Sequence, residues 1–194
     1  MKIAIVKYNA GNVQSVINAL RRFGVEPTVT DSGDELSGAD KVIFPGVGEA
    51  SSAMNYLRSK NLDAAIKSLK QPVLAICLGM QLIGKYSDEN DTQCLGIVPF
   101  EVRRFPADEM KVPHIGWNNI SLLRSALFEG INEDSRVYFV HSYFVEKAEE
   151  TIAETVYGAE FSSAIQHENF YGVQFHPEKS GPVGARILEN FLRL

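Results

Sequence analysis

Val73-Leu74-Ala75-Ile76-Cys77-Leu78-Gly79-Met80-Gln81 is the stretch on which the fold turns. Gln71-Pro72 announce a short apolar run that ends in a cysteine, with a glycine two positions later. An apolar run this short, bounded by turn residues, reads as a strand buried on both faces, as in a parallel sheet. A helix starting after Cys77 sets the cysteine on a strand-to-helix turn at the carboxyl end of that strand, where open α/β sheets bind their ligands. Such a turn holds a side chain up and exposed. The first backbone N–H groups of the helix then lie near the sulfur and favour thiolate, the reactive form. Gly79 lets the backbone pass where a Cβ would crowd the turn. The same pattern also fits a small buried residue, which free cysteine often is.

The rest of the first half repeats this pattern. Ile3-Ala4-Ile5-Val6 reads as a buried strand, and Val13, Val16, Ile17, Leu20 and Phe23 recur at helical spacing before Gly24 stops the helix. Pro27-Thr28-Val29-Thr30 reads as a second strand, and Lys41-Val42-Ile43-Phe44 as a third, ended by Pro45-Gly46. Helical patterning over 50–69 breaks near Asn61. The second half reads as strands without long helices between them, over 97–105, 114–122 and 136–145. A meander over 152–157, 163–167 and 171–175 follows, with Glu168-Asn169 as a hairpin tip. An amphipathic helix over 183–192 closes the chain. The expected fold is α/β: a single domain spanning 1–194, with a mixed, largely parallel sheet flanked by helices.

Composition narrows the function classes. A net charge of −5 with no basic block argues against nucleic-acid binding. The N-terminal apolar run is only four residues long before Lys7, too short for a signal peptide or a membrane span. Cys77 and Cys94 are the only cysteines, which implies no disulfide framework and a reducing, cytoplasmic setting. No metal-ligand spacing and no phosphate loop occur, so the expectation is no metal and no cofactor. His114, His141 and His167 read as ordinary structural histidines, and Cys94 as a small buried residue.

Two further stretches share the chemistry of Cys77. Gly172-Val173-Gln174-Phe175-His176-Pro177-Glu178 is an apolar strand ending in a histidine. A cysteine nucleophile needs a base, and the base needs an orienting acceptor. On an extended chain Glu178 points to the same side as His176. Pro45-Gly46-Val47-Gly48 closes another predicted strand, and its backbone N–H groups suit an oxyanion. Each motif has an ordinary alternative: a surface His-Glu pair, and a plain turn.

Together, P-G-V-G, C-L-G-M-Q and Q-F-H-P-E, in that order, resemble the class I (triad-type) glutamine amidotransferases, across essentially the whole chain. V-P-H-I-G-W-N at 112–118, V-H-S-Y-F at 140–144, H-P-E-K-S at 176–180 and G-N-V-Q-S at 11–15 are similar to the glutaminase subunits of imidazole glycerol phosphate synthase. Subunits serving another pathway, such as pyridoxal phosphate or anthranilate synthesis, are the alternative. The resemblance implies a flavodoxin-like core and glutamine as substrate. It implies Cys77 as nucleophile, His176 as base and then acid, and Glu178 as orienting carboxylate. It implies an oxyanion hole at Leu78 and the Gly46, Val47, Gly48 loop, and glutamine contacts at Gln81, Ser142 and Tyr143. Glutamate and ammonia are the implied products. The ammonia is channelled to a cyclase subunit, an eight-stranded βα barrel bound as a heterodimer, which makes imidazole glycerol phosphate and AICAR in histidine biosynthesis. Glutaminase activity is implied to stay low until that cyclase is loaded. Trp117, Lys179 and Asn12 are the interface candidates. One stretch departs from the family pattern: Lys7-Tyr8-Asn9 stands where an acidic residue and Tyr-Gly are usual. Asn9 is expected to take the glycine's place through its tolerance of left-handed backbone.

Overall fold

The computed structural model describes residues 1–9 and 13–194. The alternation expected of the first half is present. β1 (Ile3–Val6), α1 (Val13–Arg21), β2 (Thr28–Thr30), α2 (Gly33–Ser37), β3 (Lys41–Gly46), α3 (Ala50–Ser59), α4 (Leu62–Ser68), β4 (Val73–Cys77) and α5 (Leu78–Leu82) follow in turn. The break between α3 and α4 falls at Asn61, whose φ is 54°. Helix α2 was not expected, although Ser32 caps it by accepting from the Glu35 N–H, an S-x-x-E signature visible in the sequence.

β5 (Tyr86–Ser87), β6 (Thr92–Gln93), β7 (Glu101–Arg104), β8 (His114–Ile120), β9 (Ser135–His141), β10 (Tyr143–Val145), β11 (Thr151–Tyr157), β12 (Ala159–His167) and β13 (Phe170–Val173) make up the second half. Helix α6 (Gly181–Arg193) ends the chain. The main sheet has seven strands in the order β11-β12-β13-β4-β3-β1-β2. β2, β1, β3, β4 and β13 run parallel, while β12 and β11 extend the sheet as the expected antiparallel meander. A four-stranded sheet, β10-β7-β5-β6, and a two-stranded ribbon, β8-β9, stand beside it.

Both faces of the main sheet are covered. Along β4, Val73 and Ala75 pack with Phe44, Met54 and Leu57 on one side. Leu74, Ile76 and Cys77 pack with Phe175, Ile187 and Phe191 on the other. Every residue of β4 is buried, which accounts for its unbroken apolar run.

Three expectations about strand limits are corrected. β3 does not stop before Pro45; it runs to Gly46, paired with β4 as Pro45↔Ile76 and Gly46↔Cys77. Its ladder with β1 ends at Ile43, so a residue without an N–H is tolerated on that side, where the Tyr8 hydroxyl donates to the Pro45 carbonyl at 2.7 Å. The strand expected over 97–105 is confined to β7. The N–H groups of Ile97 and Val98 donate instead to the Ile83 carbonyl, and Pro99 follows. The strand expected over 136–145 is two strands, β9 and β10, broken at Ser142 and paired in different sheets. That break turns Ser142 toward the carboxyl ends of the parallel strands.

The β4–α5 turn is packed without slack. A Cβ on Gly79 would lie 2.0 Å from the Phe44 carbonyl oxygen, and one on Gly46 would lie 2.3 Å from the Tyr8 hydroxyl. Gly79→Ala therefore forces β3 away from the turn. It is expected to cost about 2 kcal/mol or more, as overpacking of a tight core does. Urea unfolding followed by circular dichroism measures this, and an unchanged midpoint would show that the turn has room the structure denies it.

Candidate active site

Cys77 ends β4 with φ 53° and ψ −109°, a combination that ordinary residues avoid. The strain holds the side chain at the carboxyl edge of the sheet, between Gly46 at the end of β3 and the segment leaving β13. Helix α5 has only five residues, so its first N–H groups, not a long helix dipole, are the local positive contribution.

Beyond β13 the chain reaches His176 and turns. His176 and Glu178 were expected to align along an extended strand. The structure corrects that reason but keeps the pair, because Pro177–Lys179 form a 3₁₀ turn. Within it, His176 Nδ1 and Glu178 Oε1 lie 2.8 Å apart, with side chains 1% and 2% exposed. The turn is stapled to β9. The His176 N–H donates to the Tyr138 carbonyl at 2.9 Å, while Ser180 Oγ accepts from the Tyr138 N–H and donates to the His176 carbonyl.

His176 Nε2 is buried with no nitrogen or oxygen partner among the described residues, and the group it faces is the Cys77 sulfur. Burial opposes charge on this imidazole, but the negative sulfur, the hydrogen bond to it and the Glu178 carboxylate together push the histidine up to about 10. The site thus favours an imidazolium facing that sulfur. Cys94 is the contrast: burial pushes its thiol up to about 12.

Cys77 opens into a cavity of about 320 Å³. Val47, Gly48 and Leu78 form the wall beside the sulfur, and Gln81, Ser142 and Tyr143 line the same space, with Val140 and His141 between them. Gly46 lies behind this wall, paired to Cys77, and Gly48 has φ +112°. Gln81 donates to the Tyr143 carbonyl at 3.0 Å and to Gln174 Oε1 at 2.9 Å. Glu89 also lines the cavity, which sequence reasoning missed, since the run Asp88-Glu89-Asn90-Asp91 reads as a surface turn. Its carboxylate accepts from the Ala50 N–H at 2.7 Å, and burial raises its pKa.

The Lys7-Tyr8-Asn9 segment does not work as expected. Asn9 is not among the residues with positive φ; its side-chain amide donates instead to Ser52 Oγ at 2.8 Å. Of the interface candidates, Trp117 is 47% exposed on β8, beside Ile115 at 58% on the same ribbon face. A Cβ on Gly181 would lie 3.8 Å from its ring, so Trp117 borders the His176 turn. Lys179 is exposed on that turn. Asn12 lies outside the described residues.

A model of the family described as Glutamine amidotransferase class-I matches residues 4–194. This chain belongs to the class I glutamine amidotransferases. The amidotransferase is 56% identical over 196 residues to the imidazole glycerol phosphate synthase subunit HisH of Bacteroides fragilis, with all of both chains covered. It is 54% identical to the HisH subunit of Bacteroides thetaiotaomicron, again over the full length of both. It thus falls within the HisH group of the family. Among solved structures, a glutamine amidotransferase matches with a TM-score of 0.75 at 18% identity, covering 98% of this chain and 97% of that one. PurLQS from Thermotoga maritima matches with 0.71 at 15%, covering 99% and 97%. At such identities these two likenesses show the fold. No helix among the described residues is long and apolar enough to cross a membrane.

Two histidines read as unremarkable meet at the cavity, His141 in its lining and His114 bonded to it. His114 Nδ1 is 3.0 Å from His141 Nε2, and His141 Nδ1 is 2.7 Å from the Tyr143 carbonyl. Burial lowers His114 to about 4 and lowers His141 to about 3, the latter despite its carbonyl partner. Both are neutral when folded and bind protons near 6.5 when unfolded, so the unfolded state takes up more protons below that pH. Their contribution is complete above pH 6.5 and is lost as the pH falls from there toward about 4. Thermal unfolding between pH 7 and 5 is expected to show a declining Tm, with a shallower decline in His141→Asn. Equal slopes in the two proteins would contradict the assignment.

Proposed function

We propose that this amidotransferase hydrolyses glutamine to glutamate and ammonia through Cys77, His176 and Glu178. We propose further that the ammonia serves a cyclase subunit of imidazole glycerol phosphate synthase. The observation that carries the reading is the buried His176–Glu178 pair at 2.8 Å, turned toward a strained cysteine at the mouth of the cavity. In this reading the thiolate attacks the side-chain amide carbon of glutamine. The oxyanion is received by the Leu78 N–H and one from the Gly46–Val47–Gly48 loop. The imidazolium gives its proton to the departing nitrogen, ammonia leaves, and a γ-glutamyl thioester remains. The neutral imidazole then takes a proton from water as that water attacks the thioester. Collapse returns glutamate, thiolate and imidazolium. Because the proton already rests on His176, the imidazole acts first as an acid and only afterwards as a base.

The cavity's polar groups suit an amino-acid substrate. The Gln81 carbonyl oxygen and the Glu89 carboxylate are acceptors for an α-ammonium, and Ser142 and Tyr143 lie across from them. The chain is read as one module over 1–194, in a reducing cytoplasmic setting that keeps the nucleophile free. The partner is read as an eight-stranded βα barrel in a heterodimer. Its supporting surface is the exposed pair Ile115 and Trp117 beside the His176 turn, with Lys179 on that turn. Tryptophan is common at interface hot spots.

In the assembled synthase, Cys77→Ala is expected to abolish synthesis from glutamine while leaving synthesis from ammonium salt intact. Loss of both would make Cys77 a structural residue. Glu89→Gln is expected to raise KM for glutamine about tenfold or more with kcat little changed, since it removes a charge that holds the substrate. A fall in kcat at constant KM would remove Glu89 from substrate binding.

A further inference from the structure

Gln174 makes two hydrogen bonds whose directions can be worked out from fixed groups. A backbone carbonyl can only accept, so the Tyr143 carbonyl, 3.0 Å from the Gln81 amide nitrogen, requires Gln81 to donate there. The other N–H of that nitrogen then donates to Gln174 Oε1 at 2.9 Å. With its oxygen so engaged, Gln174 must present its nitrogen to the Cys77 sulfur, 3.6 Å away. Gln174 is fully buried and cannot turn to water for an alternative.

The same carbonyl sets the histidines. His141 Nδ1 donates to the Tyr143 carbonyl, so its Nε2 accepts, and His114 must donate from Nδ1. His114 Nε2 then accepts from the Asn118 amide at 3.4 Å, and Asn118 also donates to the Val156 carbonyl at 2.9 Å. His114 is clamped by stacking on Tyr157, with centroids 3.9 Å apart, and on Phe139 at 4.8 Å. Donation thus runs from Asn118 through His114 and His141 to the Tyr143 carbonyl, where it meets Gln81 donating from the other side, so the donor and acceptor of every link are fixed.

We infer that Gln174 is a hydrogen-bond donor to the Cys77 thiolate, and that Gln81, His141 and His114 are positioning residues that hold its amide nitrogen on the sulfur. The inference rests on Cys77 being the nucleophile. Among the described residues, His176 also faces the sulfur, the Val140 carbonyl lies 3.9 Å from Sγ as an acceptor, and the nearby Tyr8 hydroxyl donates to the Pro45 carbonyl instead. Gln174 therefore supplements the imidazolium and is the neutral donor of the set. Beyond lowering the energy of the thiolate, the chain ties it to β8, the strand that also carries Trp117.

The test is the rate of Cys77 alkylation by iodoacetamide against pH, read by peptide mass spectrometry on the full chain, with Cys77→Ala as blank. Gln174→Met is expected to react about tenfold more slowly at neutral pH and to recover the wild-type rate at alkaline pH, where any thiol is ionised. A uniform slowing at all pH values would make Gln174 merely structural, and an unchanged profile would remove it from the site. If Gln174→Met does not fold, Gln174→Glu serves, since it sets a carboxylate oxygen against the sulfur and is expected to slow the neutral reaction further. His141→Ala is expected to reproduce the neutral-pH loss in weaker form. His141→Asn, which keeps a donor for the Tyr143 carbonyl, is expected to restore the rate. Wild-type behaviour of His141→Ala would end the chain at Gln81. Failure of wild-type Cys77 to react above the blank would overturn the nucleophile itself, a different result from an unchanged Gln174 profile.

Discussion

The backbone of Cys77, forced to φ 53° and ψ −109°, is the constraint on which the rest of the site depends. A non-glycine residue holds such a conformation only when its surroundings leave no alternative. Here β3 and β13 flank β4 on either side, and the Phe44 carbonyl and Gly79 meet with no room for a Cβ. The sheet fixes the strand, the strand fixes the turn, and the turn presents the sulfur. Every other group of the site is placed relative to that sulfur.

The charge arrangement follows from burial. An imidazole that is 1% exposed would ordinarily be neutral, yet here it lies between a sulfur and a carboxylate that is itself almost wholly enclosed. Two negative partners outweigh the cost of desolvation, and the proton settles on His176. His114 and His141, equally enclosed but bonded to each other, a carbonyl and an amide, with the His176 charge also opposing a proton on His141, go the opposite way. Similar burial with different neighbours yields one charged and two neutral histidines within a few residues of the same cavity.

The first half of the chain was legible because its signals are local. Apolar runs of four or five residues and helices at regular spacing are enough to place Gly46 and Cys77 at strand ends. The motif around His176 was legible for the same reason, although the geometry linking it to Glu178 is a turn and not a strand. What stayed hidden depends on pairing between distant segments. Ser142 looks like the middle of one strand until β9 and β10 are seen in separate sheets. Glu89 carries no mark that separates it from the acidic residues beside it. His114 and His141 are 27 residues apart, and only the register of β8 on β9 sets them opposite each other. Pro45 misled because a missing N–H matters only when a neighbouring strand needs it.

The central claim is that this sulfur attacks glutamine. Its most direct test is to incubate the assembled synthase with a glutamine analogue bearing an electrophilic carbon at the amide position, then locate the adduct by mass spectrometry. The account predicts a single adduct on Cys77, suppressed by excess glutamine, with Cys94 untouched. An adduct elsewhere, or none while glutamine is still being hydrolysed, would contradict it.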